Sequence, residues 1–324
     1  MRRSPAADSD PPREVELGNA RLRLACVPQA GGKVVSLQTP GGAEWLWSNP
    51  RLPLRRPVYG SDYGRELDSG GWDELLPSVA PSPAVPADWP GAVPDHGEFV
   101  GLAWSIVPDG IGPRHLSLAA HGRQWPLRLG RTLIVDEAQP AVCARYTLEN
   151  VSSKPLPYLY AAHLLLAAEQ GAVIELPAGQ EWRIYSGSAA AEGLAGACGR
   201  WPTCVLADGT GVELGRLLAD RPHASNVPLA LKVFVRTPAD GRMRVRRGDG
   251  STLTLRVDRD ELPWIGLWIN RGGWAGTQGP GYLNLGLEPT TAPTDDLQAA
   301  IHDGSARWIE AGATAAWSVQ LDFA

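Results

Sequence analysis

The chain has 324 residues, 44% of them hydrophobic, and carries 30 basic against 35 acidic side chains for a net charge of −5. That is enough apolar material for one large or two medium cores, which excludes a disordered tail or a fibrous repeat. An acidic balance without clustered Lys and Arg offers no electrostatic footprint for nucleic acid or an anionic membrane surface, and no window approaches the ~20 apolar residues of a spanning helix.

Residues 1–13 are polar and proline-rich with no apolar leader, so they are expected to form a disordered tail ahead of a single domain over 14–324, in a soluble cytoplasmic protein. Strand patterning starts at once. In "EVELGNARLRLACV", Val15 and Leu17, then Leu22 and Leu24, alternate around Gly18-Asn19, two residues that tolerate positive φ, which predicts a hairpin. Period-two alternation recurs in "HLSLAAHGRQWPLRLGRTLIV", "AVCARYTLENV", "LALKVFVRT", "RMRVRR", "TLTLRVD" and "ATAAWSVQLDF". Helix patterning is confined to Asp295–His302, with Thr294 or Asp295 as N-cap and Gly304 as the stop. The 37 glycines and 29 prolines are spread between the strands and not massed in a linker. The expected fold is therefore all-β, one large antiparallel sandwich with few short helices.

Cys26, Cys143, Cys198 and Cys204 form no CxxC pair, so a disulfide framework or zinc ribbon is not expected and buried free thiols are. Neither HExxH, a P-loop nor a GxSxG elbow occurs, and "GTGVELG" at Gly209–Gly215 has the wrong spacing for a dinucleotide fingerprint. Basic charge is nearly all arginine: Lys33, Lys154 and Lys232 are the only lysines.

Three places stand out chemically. "VPDHGEF" sets His96 between Asp95 and Glu98 in a chain with only 6 histidines. His96 and Glu98 would supply two metal ligands where a stable site wants three or four, so a metal is not expected. "YLYAAHLLLAAEQG" buries His163 in an apolar run. "YLNLGLEPTTAP" ends a strand at Glu288, directly before Pro289, which keeps the backbone extended and stops the ladder. Together these offer an acid, a base and a polar orienter.

The order and wording of "GGKVVSLQTPGGAEWLWSN", "SGGWDELLPSVAP", "VPDHGEFVGLAW", "LPYLYAAHLLLA", "IELPAG" and "LNLGLEPTTAPTDDL" resemble the aldose 1-epimerase-like (galactose mutarotase-like) proteins from about Leu17 onward. The resemblance implies a β-supersandwich whose concave face holds a sugar, with chemistry that requires no metal or cofactor. It also implies ring opening by acid and base: Glu288 as the base at the anomeric hydroxyl, His163 as the acid at the ring oxygen, and His96 as a second imidazole with Asp95 or Glu98 fixing its tautomer. Arg65 would be the substrate-orienting arginine, with Asp73 and Glu98 as further sugar contacts. Thirteen tryptophans against 3 phenylalanines suit a sugar-binding face, with Trp72 and Trp268 as pocket residues. The aspartate expected between His163 and Glu288 is matched only loosely, by "DRPHASN" at Asp220–Asn226. The implied partner is a small-molecule sugar, bound by a monomer or homodimer. The alternatives are a sugar-binding module without turnover and a hexose-phosphate epimerase.

Overall fold

Two antiparallel sheets carry the chain, and they are buried differently. A computed structural model describes residues 12–83, 86–168, 171–188, 191, 193–205, 209–219 and 228–324. Apart from residues 12 and 13 the expected tail lies outside the described residues, as does Asp220–Asn226.

The first sheet has 11 strands, running in spatial order Val15–Gly18, Arg23–Val27, Lys33–Thr39, Gly71–Leu75, Ala161–Ala167, Leu283–Thr290, Trp264–Arg271, Leu229–Arg236, Glu181–Gly187 and Cys198–Arg200, with Ala43–Glu44 beside Lys33–Thr39. The second has 8, in the order Ala172–Glu175, Arg242–Arg247, Thr252–Val257, Thr314–Phe323, Ala141–Asn150, Leu127–Val135, His115–His121 and Ser105–Gly112.

Strands of the second sheet alternate as the sequence predicts. In Leu127–Val135 every odd position is buried and every even one at least partly open, because one face packs on the core and the other meets water. Central strands of the first sheet do not alternate: Gly71–Leu75 is buried throughout, Leu229–Arg236 and Leu283–Thr290 at every residue but one. Their second face is roofed by loops, and the candidate site residues lie under that roof.

One apolar cluster fills the space between the sheets. An ion pair crosses it. Arg131 Nη1 lies 2.9 Å from Glu74 Oε1, both side chains are fully buried, and the hydroxyls of Tyr146 and Tyr160 donate to the same carboxylate at 2.9 and 2.6 Å. Such a pair is tolerable in a dry core only because nearly every charge-bearing atom is hydrogen-bonded.

Local details depart from expectation in three places. The first hairpin pairs Gly18 with Arg23, and neither Gly18 nor Asn19 takes positive φ. The turn is closed instead by the Asn19 side chain, which accepts from Arg21 N and Leu22 N at 2.6 and 2.7 Å. The C-terminal helix spans Leu297–His302 with Asp296 as N-cap, later than expected, because Asp295 is drawn elsewhere: its carbonyl accepts from Val79 N and Ala80 N and its carboxylate faces Lys232. Of the thiols expected to be buried, Cys26 and Cys204 are, Cys143 is half-buried and Cys198 exposed. No helix among the described residues is long and apolar enough to cross a membrane.

Candidate active site

Strand register decides which side chains share the roofed face. His163 pairs with Asp73, and the register that matches Ala161 to Thr290 and Leu164 to Leu287 sets His163 opposite Glu288. Asp73, His163 and Glu288 thus form one row across three adjacent strands. One step along, Lys232 pairs with Trp268 and Trp268 with Gly286.

Over this row lies a cleft of about 250 Å³ whose lining includes His96, His163, Lys232, Trp268, Trp274 and Glu288. Glu288 is only 1% exposed. Its Oε2 sits 2.5 Å from Lys232 Nζ, and the same ammonium lies 3.3 Å from Asp295 Oδ1. Burial works against a charged Lys232, but the carboxylates of Asp295 and Glu288 outweigh it and raise its pKa, so it stays protonated. Glu288 Oε1 is buried without a hydrogen-bond partner, 4.0 Å from His163 Nε2. Space beside it is kept by Gly286, where a Cβ would come within 2.9 Å of Oε1 and 2.7 Å of Trp268 Cβ.

His163 is buried but reaches the cleft, 7% exposed, and burial, reinforced electrostatically by His96, Lys232 and Lys33, holds its pKa well below the ordinary 6.5. It is a neutral imidazole at pH 7, so the hydrogen it can offer is the single N–H of the neutral ring. Its Nδ1 lies 3.4 Å from the Tyr63 hydroxyl, which in turn reaches Asp73 Oδ2 at 2.5 Å. Asp73 also accepts from Lys33 Nζ. Burial first, then the Asp73 charge, keeps Tyr63 a protonated phenol far above 10. That one proton has two claimants, and the claim it answers decides which imidazole nitrogen carries hydrogen.

His96 stacks on the Tyr63 ring at 4.1 Å and 20°, and its ring lies edge-on to His163 at 6.0 Å. Asp95 Oδ1 is 2.9 Å from His96 Nδ1, leaving Nε2 for the cleft. Burial alone would raise the Asp95 pKa; the His96 bond and charge and the Tyr63 backbone N–H outweigh it and lower it. His96 adopts φ 59° and Gly97 φ 80°, left-handed conformations that cost a non-glycine residue ~1–2 kcal/mol. This double kink turns His96 into the cleft and Glu98 the other way. Gly97 allows nothing larger: a Cβ would sit 2.3 Å from Leu76 O.

The sequence-predicted residues divide accordingly. His96, His163, Trp268 and Glu288 meet in the cleft. Trp72 does not line it: strand neighbours face opposite ways, so with Asp73 on the roofed face Trp72 points into the core and is 0% exposed. Asp73 lies in the row beside His163, but Lys33 and Tyr63 take its carboxylate behind the cleft. Glu98 is sealed away, accepting from the Tyr59 hydroxyl, Gln124 N and Trp125 N, and Asp95 is the carboxylate on His96. Arg65 stands outside, its side chain 74% exposed and 3.3 Å from Asp62. Sequence reasoning missed Lys232, Tyr63, Asp295 and Trp274. Lysine rarity was the one available clue, since two of the three lysines, Lys33 and Lys232, are buried under the roof. Among the described residues no group of three or more His, Cys, Asp or Glu could hold a metal ion.

No protein-family model and no curated protein sequence matches the chain. Solved structures do. The Slr1438 protein of Synechocystis sp. PCC 6803 superposes with a TM-score of 0.67 at 17% identity, over 100% of this chain and 99% of that one. A galactose mutarotase related enzyme from Lactobacillus acidophilus gives 0.64 at 8% identity, over 96% and 97%. A galactose mutarotase-like protein from Lactobacillus casei gives 0.60 at 14%, over 96% and 100%. At such identities the likeness concerns architecture alone, and it agrees with the sheets described above: the chain has the galactose mutarotase-like fold.

Proposed function

We propose that this protein is an aldose 1-epimerase-type isomerase that interconverts the anomers of a reducing sugar in the cleft above Asp73, His163 and Glu288. The observation that carries the reading is Glu288 Oε1, a buried carboxylate oxygen with no protein partner, facing a neutral imidazole at 4.0 Å across a space lined by two indoles. Leaving such an oxygen unsatisfied costs about 1–3 kcal/mol or more, which a substrate hydroxyl recovers.

Each residue then has a task. Lys232 clamps Oε2 and so aims Oε1 at the cleft. Glu288 Oε1 takes the anomeric hydroxyl proton as the C1–O5 bond opens. Neutral His163 meets O5 through Nε2; when the Tyr63 hydroxyl turns from Asp73 to Nδ1, the ring takes its Nε2–H form, donates a hydrogen bond to O5 and stabilises charge growing there. Because both oxygens sit on one carbon, Glu288 passes the proton on to O5 and returns to carboxylate, leaving the open-chain aldehyde. Rotation about C1–C2 and the reverse steps close the other anomer. His96, fixed by Asp95 and stacked on Tyr63, offers Nε2 to a ring hydroxyl, and the indoles of Trp268 and Trp274 cover C–H faces. Proton transfer of this kind contributes about 10²–10⁴ in rate.

Saturation-transfer NMR of anomer exchange across common aldoses tests the reading. At least one sugar should exchange faster than its spontaneous rate; exchange at the uncatalysed rate for all would leave a sugar-binding module.

A further inference from the structure

The inner cleft opens into a second, wider depression. This outer groove measures about 830 Å³ and shares Gly64, Asp95, His96 and Trp274 with the inner cleft. The inner space of about 250 Å³ falls below the roughly 300–1,000 Å³ of ordinary ligand pockets, whereas the outer groove lies within that range. A single sugar ring poised over Glu288 leaves the groove empty.

The groove is built by fixed walls. Buried Glu98 draws the Tyr59 hydroxyl together with Gln124 N and Trp125 N, at 2.8 and 3.1 Å for the two amides, so one carboxylate fastens two separate segments. Arg123 stacks over the Tyr59 ring at 4.6 Å. A further wall pairs Ser82 with Val93 through backbone hydrogen bonds of 2.8 and 3.0 Å in both directions, presenting Pro81, Pro83 and Pro94 to the space. Opposite stands Trp274, its ring braced edge-on by Trp268 and Tyr282 at 5.9 Å each. Apolar walls with a few polar tips, here Gln124, Asp62 and Arg65, suit a ring that has C–H faces and hydroxyl edges.

Charge narrows the occupant. Among the described lining residues the one arginine, Arg65, is paired with Asp62 at 3.3 Å, and the one histidine, His96, with Asp95 at 2.9 Å. Phosphate recognition wants convergent cations; these two already face carboxylates, and Arg123 beside them is laid on the Tyr59 ring. We infer that the outer groove is a second sugar subsite, and that the preferred substrate is the reducing end of a neutral oligosaccharide whose next glycosyl unit lies between Trp274 and the Pro81–Pro83 wall. The inference deepens the epimerase reading and rests on it for turnover, though not for binding.

The test compares hexoses with reducing disaccharides (maltose, cellobiose and lactose) by NMR anomer exchange and by calorimetric titration, for the wild type and for Ala92→Trp, which fills the groove from a wall position outside the inner cleft. At least one disaccharide should exceed its matched hexose in kcat/KM by about tenfold, and Ala92→Trp should erase that advantage while leaving hexose exchange intact. Equal values for disaccharide and hexose, or a variant that lowers both alike, would overturn the subsite. If no sugar exchanges above its spontaneous rate, the epimerase reading falls and calorimetry decides the subsite by itself: tighter disaccharide binding that Ala92→Trp removes supports it, and equal binding refutes it. Tighter binding or faster exchange of hexose 6-phosphate than of any disaccharide would likewise overturn it.

Discussion

Tyr63 concentrates the proposed chemistry in one hydroxyl. It sits 2.5 Å from Asp73 and 3.4 Å from His163 Nδ1, and its ring carries His96. Tyr63→Phe keeps the stack and loses tautomer selection, so kcat should fall about tenfold, the worth of one hydrogen bond of ~1.4 kcal/mol, with KM little changed; exchange kinetics that match wild type would remove Tyr63 from the mechanism. His163 carries a pH signature of its own. Its folded pKa lies below the unfolded value, so between the two the unfolded chain binds a proton that the folded chain refuses. Stability is therefore fully present above the ordinary 6.5 and falls as the pH drops below it. Denaturant unfolding at about pH 7.5 and about pH 5.5 should show wild type losing more stability on acidification than His163→Asn, and equal losses would contradict the buried neutral imidazole. Chemical identity made His96, His163 and Glu288 legible in the sequence, because each is an unusual residue in its surroundings. Lys232 was not legible, since a lysine inside "LALKVFV" reads as an exposed position until the neighbouring strand supplies Glu288.

At the scale of the element, two strands hold Glu288, the proposed base. Gly266 pairs with Glu288, and Gly286 stands opposite Trp268; both glycines leave room around the carboxylate. Gly286→Ala should press on Oε1 and Trp268 and lower kcat by about 10², the cost of roughly 1 Å of misplacement, while circular dichroism stays that of wild type. Unchanged turnover would mean that Glu288 is not held by its strands. Strand parity also explains the unequal fate of Trp72 and Asp73. Both came from one motif, "SGGWDELLPSVAP", yet neighbours on a strand face opposite ways, so only one of them lies on the roofed face, and the period-two rule already contained that restriction. The Asp295 contact with Lys232, by contrast, joins residues 63 positions apart, and no local pattern announces it.

For the molecule as a whole, Glu74 and Arg131 tie one sheet to the other through the core. Removing one partner strands the other charge away from water, so Arg131→Leu should cost about 3–5 kcal/mol, whereas replacing both partners with apolar residues of similar volume should recover most of it. Chemical denaturation of the single and double variants measures this; a single variant as stable as wild type would show that the pair is not sealed. The sandwich itself was readable from alternation, because sheet-on-sheet packing leaves one face wet in strands such as Leu127–Val135. The roof over the first sheet was not, since its central strands are buried on both faces and periodicity cannot say whether loops or a second layer cover them. That roof makes a cleft out of an open face, and the proposed chemistry depends on Glu288 beneath it. The most direct test is saturation-transfer NMR of anomer exchange with Glu288→Gln beside wild type. Exchange in the variant should drop by about 10²–10⁴, toward the spontaneous rate, with the fold retained; exchange at the wild-type rate would contradict Glu288 as the group that moves the proton.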